Sequence, residues 1–313
     1  MGPYVVTLLL VVASALFAWS MGSHYTGAVM GTAYGSGVLS MRRAQGLAAL
    51  FALAGSYLAS HRVIITYAST LVPRAIPLDI AAAQLSASLV TMMSTYFRLP
   101  TSTIQIYTFS LLGAAWVAKL PIEGAGVGHV VVFWAAGPLL ATLVGYLLGR
   151  AGLPRLSERV VTGFVLIASV YSAFTLGSND VSNAASSLVA LRLLPVRMAG
   201  LYGGLFMLVG ILTWGRPLLR RVGRDIIPSL NVPLAASAQL AQAIVMTGIN
   251  AAGYNASLNQ TIVGGLTGSG LATGANRLNW PVVRSIILNW TWSPVLGLLA
   301  SAVMTVALRA LFG

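Results

Sequence analysis

The chain has 313 residues, of which 57% are apolar and 7% charged, and its mean hydropathy is +0.85. Ordinary soluble domains carry roughly 25% charged residues, so this composition excludes one and points to an integral membrane protein. The net charge is +13, with arginine supplying 17 of the 18 basic residues. Because these arginines fall in short polar connections, they read as orientation signals and contacts to anionic membrane lipids, and no nucleic acid partner is expected.

Apolar runs approaching or exceeding the ~20 residues that span a bilayer predict helices near 3–21, 44–60, 78–97, 126–149, 158–176, 197–215, 232–252 and 281–308. Strong apolarity without strict alternation argues against a membrane β-barrel. The expected fold class is therefore an all-α integral membrane protein. The first run has small residues at Ala13-Ser14-Ala15 and Ala18, as a signal peptide would, but no positive side chain precedes Val5. It reads as the first helix of the fold. Absence of cysteine removes disulfides, thiolate metal sites and cysteine nucleophiles.

The chain repeats itself. A shift of 155 residues lays Gly22-Ser23 on Gly177-Ser178, Arg42 on Arg197, Ala83-Gln84-Leu85 on Ala238-Gln239-Leu240, Gln105 on Gln260 and Gly113 on Gly268. Near the end of each half the shift becomes 156, so that Trp134 meets Trp290 and Pro138 meets Pro294. Two homologous halves are expected, 1–152 and 153–313, together forming one transmembrane domain.

Each half is interrupted twice at matching places by polar, glycine-rich segments: Gly22 to Gly37 with Gly177 to Ala190, and Pro100 to Gly113 with Asn255 to Gly270. Broken helices at membrane depth persist only where they pack in protein or line a cavity. Matching breaks in two repeats are the best sequence pointer to a transporter's binding site. A helix starting inside the protein presents unpaired N–H groups and the positive end of its dipole, which suits an oxyanion. Pro100-Thr101-Ser102-Thr103 and Asn255-Ala256-Ser257 have the capping chemistry for such starts.

Asp180 is one of five acidic residues and the one inside a glycine-bounded break, which marks it for function. His24 reads either as a proton-coupling group, its ordinary pKa being near neutrality, or as a permanently neutral, hydrogen-bonded ring. His61 and His129 receive no role, and histidines so far apart give no zinc site. Gln84 and Gln239, at equivalent positions, predict either a polar pair near the pseudo-axis or hydrogen bonds that fix helix packing. Asp79, Glu123, Glu158 and Asp225 flank arginines or helix ends and read as interfacial. A lone Asp180 supplies neither paired carboxylates nor an Asp-rich metal motif, so no enzyme is expected. No G-x-x-x-x-G-K-[ST] loop is present, and energy must come from an ion gradient or from the solute itself.

Gly177-Ser178-Asn179-Asp180-Val181-Ser182-Asn183-Ala184 resembles the GANDVANA signature of the inorganic phosphate transporter (PiT) family. Gly31 to Leu39 is similar to the GTAVGSGAL that follows it in the first half, Pro100 to Gln105 to its PVSTTH motif, and Asn279-Trp280 to Pro294 to its closing stretch. The resemblance implies an inverted repeat with re-entrant helical hairpins around a central anion site. It implies an anion-binding shell of Ser102, Thr103, Gln105, Ser257, Asn259 and Gln260, with Asn179, Asn183, Ser23 and Thr26 adjoining. Cation coupling, by protons or sodium, is assigned to Asp180, His24 and Tyr25, with a sodium ion at Asp180 and Asn179 as one arrangement and no other cofactor. The implied location is the cell membrane of a prokaryote, multi-pass, with a homodimer as one admissible assembly.

The departures carry weight. Where the first signature would place an aspartate stands Tyr25, and both motif histidines are glutamine, Gln105 and Gln260. The sulfate permease (CysP-like) branch also lacks that aspartate and has a similar Met30 to Gly37 run. Hydrogen phosphate carries a proton that wants an acceptor, whereas sulfate prefers a site of donors. The expected function is therefore a secondary-active permease for a tetrahedral oxyanion, sulfate before phosphate, with an uncoupled anion channel as the further alternative.

Overall fold

A computed structural model of the chain describes residues 3–70, 76–120, 124–151, 156–251 and 256–312, and every regular element among them is helical. Helices satisfy their own backbone hydrogen bonds, as lipid requires. The first half contains α1 (Pro3–Gly35), α2 (Met41–Leu58), α3 (His61–Thr70), α4 (Pro77–Tyr96), α5 (Thr103–Val117) and α6 (Gly124–Arg150). The second runs from α7 (Glu158–Thr175) through a π turn (Leu176–Asp180) into α8 (Ser182–Ala190). It continues with α9 (Val196–Trp214), α10 (Arg216–Arg220) with a second π turn (Arg221–Asp225), α11 (Val232–Ala251), α12 (Leu258–Thr273) and α13 (Trp280–Phe312). A displacement of 155 residues carries α1 onto α7–α8 and α2 to α5 onto α9 to α12 to within one residue. The expected boundary at 152/153 lies outside the described residues.

Among the described residues, five stretches are long and apolar enough to cross a membrane: Tyr4–Gly35, Glu158–Ala190, Val196–Trp214, Val232–Ala251 and Trp280–Phe312. Met41–Leu58 and His61–Ser69, bent by 66° at their junction, make a sixth if counted as one span.

The halves are interlocked by symmetry-related close crossings. A Cβ added at Gly22 of α1 would stand 2.0 Å from the Met207 carbonyl oxygen of α9, and one at Gly177 would stand 1.8 Å from that of Ala52 of α2. Gly55 meets the carbonyl of Phe174 and Gly210 that of Trp19; Gly113 meets Leu298 and Gly268 meets Thr142. In each case residue i of one half touches the counterpart of j, while the counterpart of i touches j. A two-fold axis between the repeats generates this reciprocity. Small residues let backbones approach where lipid offers no hydrophobic drive for association.

These crossings correct one expectation. The segment Gly22 to Gly37 is not broken: α1 continues helically to Gly35. Gly22, Gly27, Gly31 and Gly35 form its contact face against Met207, Leu218, Val222 and Gly223, so these glycines serve backbone approach. The chain turns only afterwards, at Gly37 with φ +82°. The counterpart in the second half bends through the π turn. True starts at depth occur at the second pair of sites, where Ser102 and Ser257 are extended and α5 and α12 begin.

Asp79, read as interfacial, is buried to 2% exposure in the first turn of α4. Arg309 near the end of α13 meets it in a bidentate pair, Nε to Oδ1 at 3.0 Å and Nη2 to Oδ2 at 2.7 Å. The pair ties the beginning of the first half's α4 to the end of the chain.

Two stability outcomes follow from these contacts. Gly22→Ala and Gly177→Ala should each cost about 1–3 kcal/mol through overpacking, while Gly46→Ala and Gly163→Ala, with no atom near the added methyl, should not lower the unfolding midpoint of the purified protein. Arg309→Ala should cost about 3 kcal/mol by stranding a buried carboxylate, and adding Asp79→Asn should recover most of that loss in the same melting assay.

Candidate anion and coupling site

The starts of α5 and α12 meet between the halves. Each is capped by a serine: Ser102 Oγ accepts from the Gln105 N–H, and Ser257 Oγ from the Gln260 N–H, both at 3.4 Å. Neither helix can cap itself otherwise, because the first N–H groups of a helix have no partner one turn earlier. The side chains of Gln105 and Gln260, equivalent by repeat, are joined by two reciprocal amide hydrogen bonds of 3.1 Å. This closed pair lies on the pseudo-axis.

Tyr25 and Asp180, also equivalent by repeat, come together beside these helix starts. The Tyr25 hydroxyl oxygen accepts from the Thr103 N–H at 3.3 Å and from the Thr103 hydroxyl at 3.0 Å. Its own proton is thereby directed to other acceptors, and the hydroxyl faces the Asp180 carboxyl and Ser257. Asp180 is 2% exposed and its Oδ2 has no partner within the protein. Among the described residues no basic side chain pairs with it. A carboxylate so placed needs a proton, a cation or added donors to offset its burial.

Three residues beyond Asp180, Asn183 is fully buried and neither amide atom has a protein partner. Asn259, in the first turn of α12, donates to the Thr101 carbonyl at 2.8 Å and leaves its Oδ1 unpartnered. Buried polar atoms are ordinarily satisfied. Such atoms occur on other buried residues too, Ser86 and Tyr107 among them, and those on Asp180, Asn183 and Asn259 fall on the signature segment and the start of α12. No group of three or more His, Cys, Asp or Glu residues fit for a metal ion occurs among the described residues.

His24 receives the Thr101 N–H on Nε2 at 3.0 Å, while Nδ1 lies 2.8 Å from Thr95 Oγ1, which itself donates to the Thr91 carbonyl at 2.8 Å. Nε2 also lies 3.3 Å from the Thr101 carbonyl, and with Nε2 receiving the Thr101 N–H the proton of a neutral ring sits on Nδ1, facing Thr95. Of the two readings open for His24, these contacts favour the hydrogen-bonded ring, which pins the segment leading into α5.

Ser23 and Thr26 are not brought to the cluster. Ser23 Oγ lies within bonding distance of the Trp19 and Gly210 carbonyls, and Thr26 donates to the Gly22 carbonyl, so both hydroxyls serve α1 where it crosses α9. They follow from the unbroken course of α1. Asn179 sits in the π turn, partly exposed, with its carbonyl taken by Ser182 at 2.6 Å. Asn255 and Glu123 lie outside the described residues, as does the side chain of His129.

Gln84 donates to Ser187 at 3.1 Å and to the Ala184 carbonyl, and its counterpart Gln239 accepts from Thr32, the repeat equivalent of Ser187. Each glutamine thus ties its helix to the opposite half, which is the packing reading. Residues outside the expected shell also shape the site. Thr101 binds His24, Asn259 and, at 2.6 Å, Ser293; Trp290 donates to the Pro100 carbonyl at 2.9 Å. Gln242 bonds the carbonyl of Leu258, the first residue of α12, at 2.8 Å. Its spacing of three from Gln239 on an apolar helix was the available signal.

A family model described as the phosphate transporter family matches residues 21–152 and, a second time, 149–301. A putative phosphate permease of Methanocaldococcus jannaschii is 26% identical over 287 residues, covering 89% of this chain and 90% of that protein. The sulfate permease CysP of Bacillus subtilis is 28% identical over 297 residues, covering 91% and 83% respectively. A solved structure described as the sodium-dependent phosphate transporter superposes with a TM-score of 0.83 at 18% identity, over 98% of this chain and 99% of that one, and so shares the fold. Two family matches in tandem, one per repeat, show that this multi-pass membrane protein belongs to the phosphate transporter family, a family of permeases and not of enzymes.

Proposed function

We propose that the protein is a cation-coupled permease for inorganic phosphate. The observation that carries the choice of anion is the set of unpartnered buried atoms: Asp180 Oδ2 and Asn259 Oδ1 are acceptors, and Asn183 offers one acceptor and one donor. Protonated phosphate brings O–H groups that such acceptors can receive, while sulfate at neutral pH is acceptor-only. The loss of one signature carboxylate to Tyr25 had favoured sulfate in the sequence. Its partner Asp180 still supplies a carboxylate acceptor, and the likeness to a phosphate permease supports the same reading. Sulfate stays the second reading because of the CysP relative, which matches 91% of this chain.

In this reading the N–H groups of Ile104, Leu258 and Asn259, which the caps do not use, and the cap hydroxyls hold the anion, and the dipoles of both helices favour its charge. Asp180 carries the coupling cation, a proton or sodium, and Tyr25 positions it by linking it to Thr103. Accumulation of anion against its gradient separates this reading from an uncoupled channel.

Proteoliposomes should accumulate radiolabelled phosphate when given an inward proton or sodium gradient, with competition by arsenate. Accumulation of sulfate in place of phosphate would transfer the assignment to the second reading, and transport of neither would remove both. Asp180→Asn should reduce gradient-driven accumulation at least tenfold while anion exchange across the membrane continues; equal loss of both would reassign Asp180 from coupling to folding or anion binding. Tyr25→Phe removes hydrogen bonds at a charged centre worth about 1.5–3 kcal/mol, so coupled uptake should fall roughly 10- to 100-fold, measured as initial rate.

A further inference from the structure

Gln105 and Gln260 stand third in α5 and α12, behind the caps Ser102 and Ser257. Serine at the cap with glutamine three residues later is the pattern of a capping box. In a complete box the serine hydroxyl accepts the glutamine's N–H, and the glutamine side chain reaches back to accept the serine's own N–H. The serine's half of each box is made here. The glutamine oxygen is turned instead to the other helix, Gln105 Oε1 accepting from Gln260 Nε2 and Gln260 Oε1 from Gln105 Nε2, both at 3.1 Å. The two residues are buried, at 5% and 3% exposure.

Each glutamine therefore has two partners within its reach, the opposite amide and the N–H of its own cap. Only a primary amide carries a donor and an acceptor side by side, which lets two facing glutamines close such a ring. Turning back onto the caps keeps both amide oxygens bonded, so neither arrangement strands a buried acceptor. The turn is concerted, because both bonds join the same two side chains and withdrawal of either breaks both. The paired amides bridge the two helix starts, next in the chain to Ile104 and Asn259, whose N–H groups the caps leave unused. Once turned back, each Nε2 is a free donor beside them.

We propose that the Gln105–Gln260 pair is the gate of the anion site: joined across the pseudo-axis it closes the space between the helix starts, and turned back onto Ser102 and Ser257 it opens that space and presents both Nε2 groups to the solute. The gate rests on the anion reading above. An oxyanion receives those donors only in the turned-back arrangement, so its binding favours the open gate by that difference.

The chain has six glutamines, few enough for their isotope-labelled side-chain amides to be read one by one by NMR. Gln105→Leu and Gln260→Leu identify the two signals of interest. In the full native chain, saturating inorganic phosphate, with sulfate as the second probe, should move both signals together. Anion binding, measured as heat on titration, with both signals unmoved would overturn the gate and leave the anion reading standing; binding of neither probe would overturn both. Proteoliposomes loaded with radiolabelled phosphate, in a buffer of equal pH and sodium concentration on both sides, test the closure itself. Gln105→Ala and Gln260→Ala should each release anion at least about twofold faster than the native chain, because a pair closed for most of the time is then broken for all of it. The double variant should add nothing, since each single change already breaks both bonds. Efflux at or below the native rate in both single variants would overturn the gate and leave the glutamines as ligands or packing contacts. Placing the two variants on opposite helices guards against one that fails to fold.

Discussion

The first N–H groups of α5 and α12 emerge among buried residues, where neither water nor lipid offers an acceptor. A helix can begin there only if protein or a polar solute receives those groups. Everything around the site answers this requirement. Ser102 and Ser257 cap from within, Tyr25 takes the Thr103 N–H, and His24 takes the Thr101 N–H just ahead of α5. The same donors that threaten the fold when unpaired are what an oxyanion needs.

Holding two such starts together takes the reciprocal crossings of the halves. α5 lies against α13 and α12 against α6, so each re-entrant helix is supported by the other half's last helix at Gly113 and Gly268. With a pseudo-two-fold axis between them, Gln105 meets Gln260 and Tyr25 meets Asp180 without further design, since equivalent residues near an axis are neighbours. Symmetry thereby converts a single substitution into a change of chemistry. A pair that the family resemblance would make two carboxylates is here a carboxylate with a phenol, which avoids like-charge repulsion and leaves one carboxylate at the centre.

Much of this was legible in the residues. Spacing of 155 located both halves, and the serine-rich motifs marked the two helix starts because cap residues are short, polar and followed by apolar helix. Gly22 to Gly37 misled, since glycine spaced for close packing looks like glycine spaced for a break. Ser23 and Thr26, read as part of that break, instead place their hydroxyls on backbone carbonyls of α1 and α9. The π turn at Leu176–Asp180 had no counterpart in the composition of α1, although the two segments are aligned by the repeat.

By itself the sequence determined the membrane class, the duplicated helical plan and the identity of the one acidic residue at its centre, because hydropathy and local capping are properties of residues near one another in the chain. The tertiary structure decided which equivalents touch, which buried atoms are left unpartnered and which groups hold the His24 ring. Those depend on contacts between residues 50 to 230 positions apart, and only the crossings of packed helices set such distances.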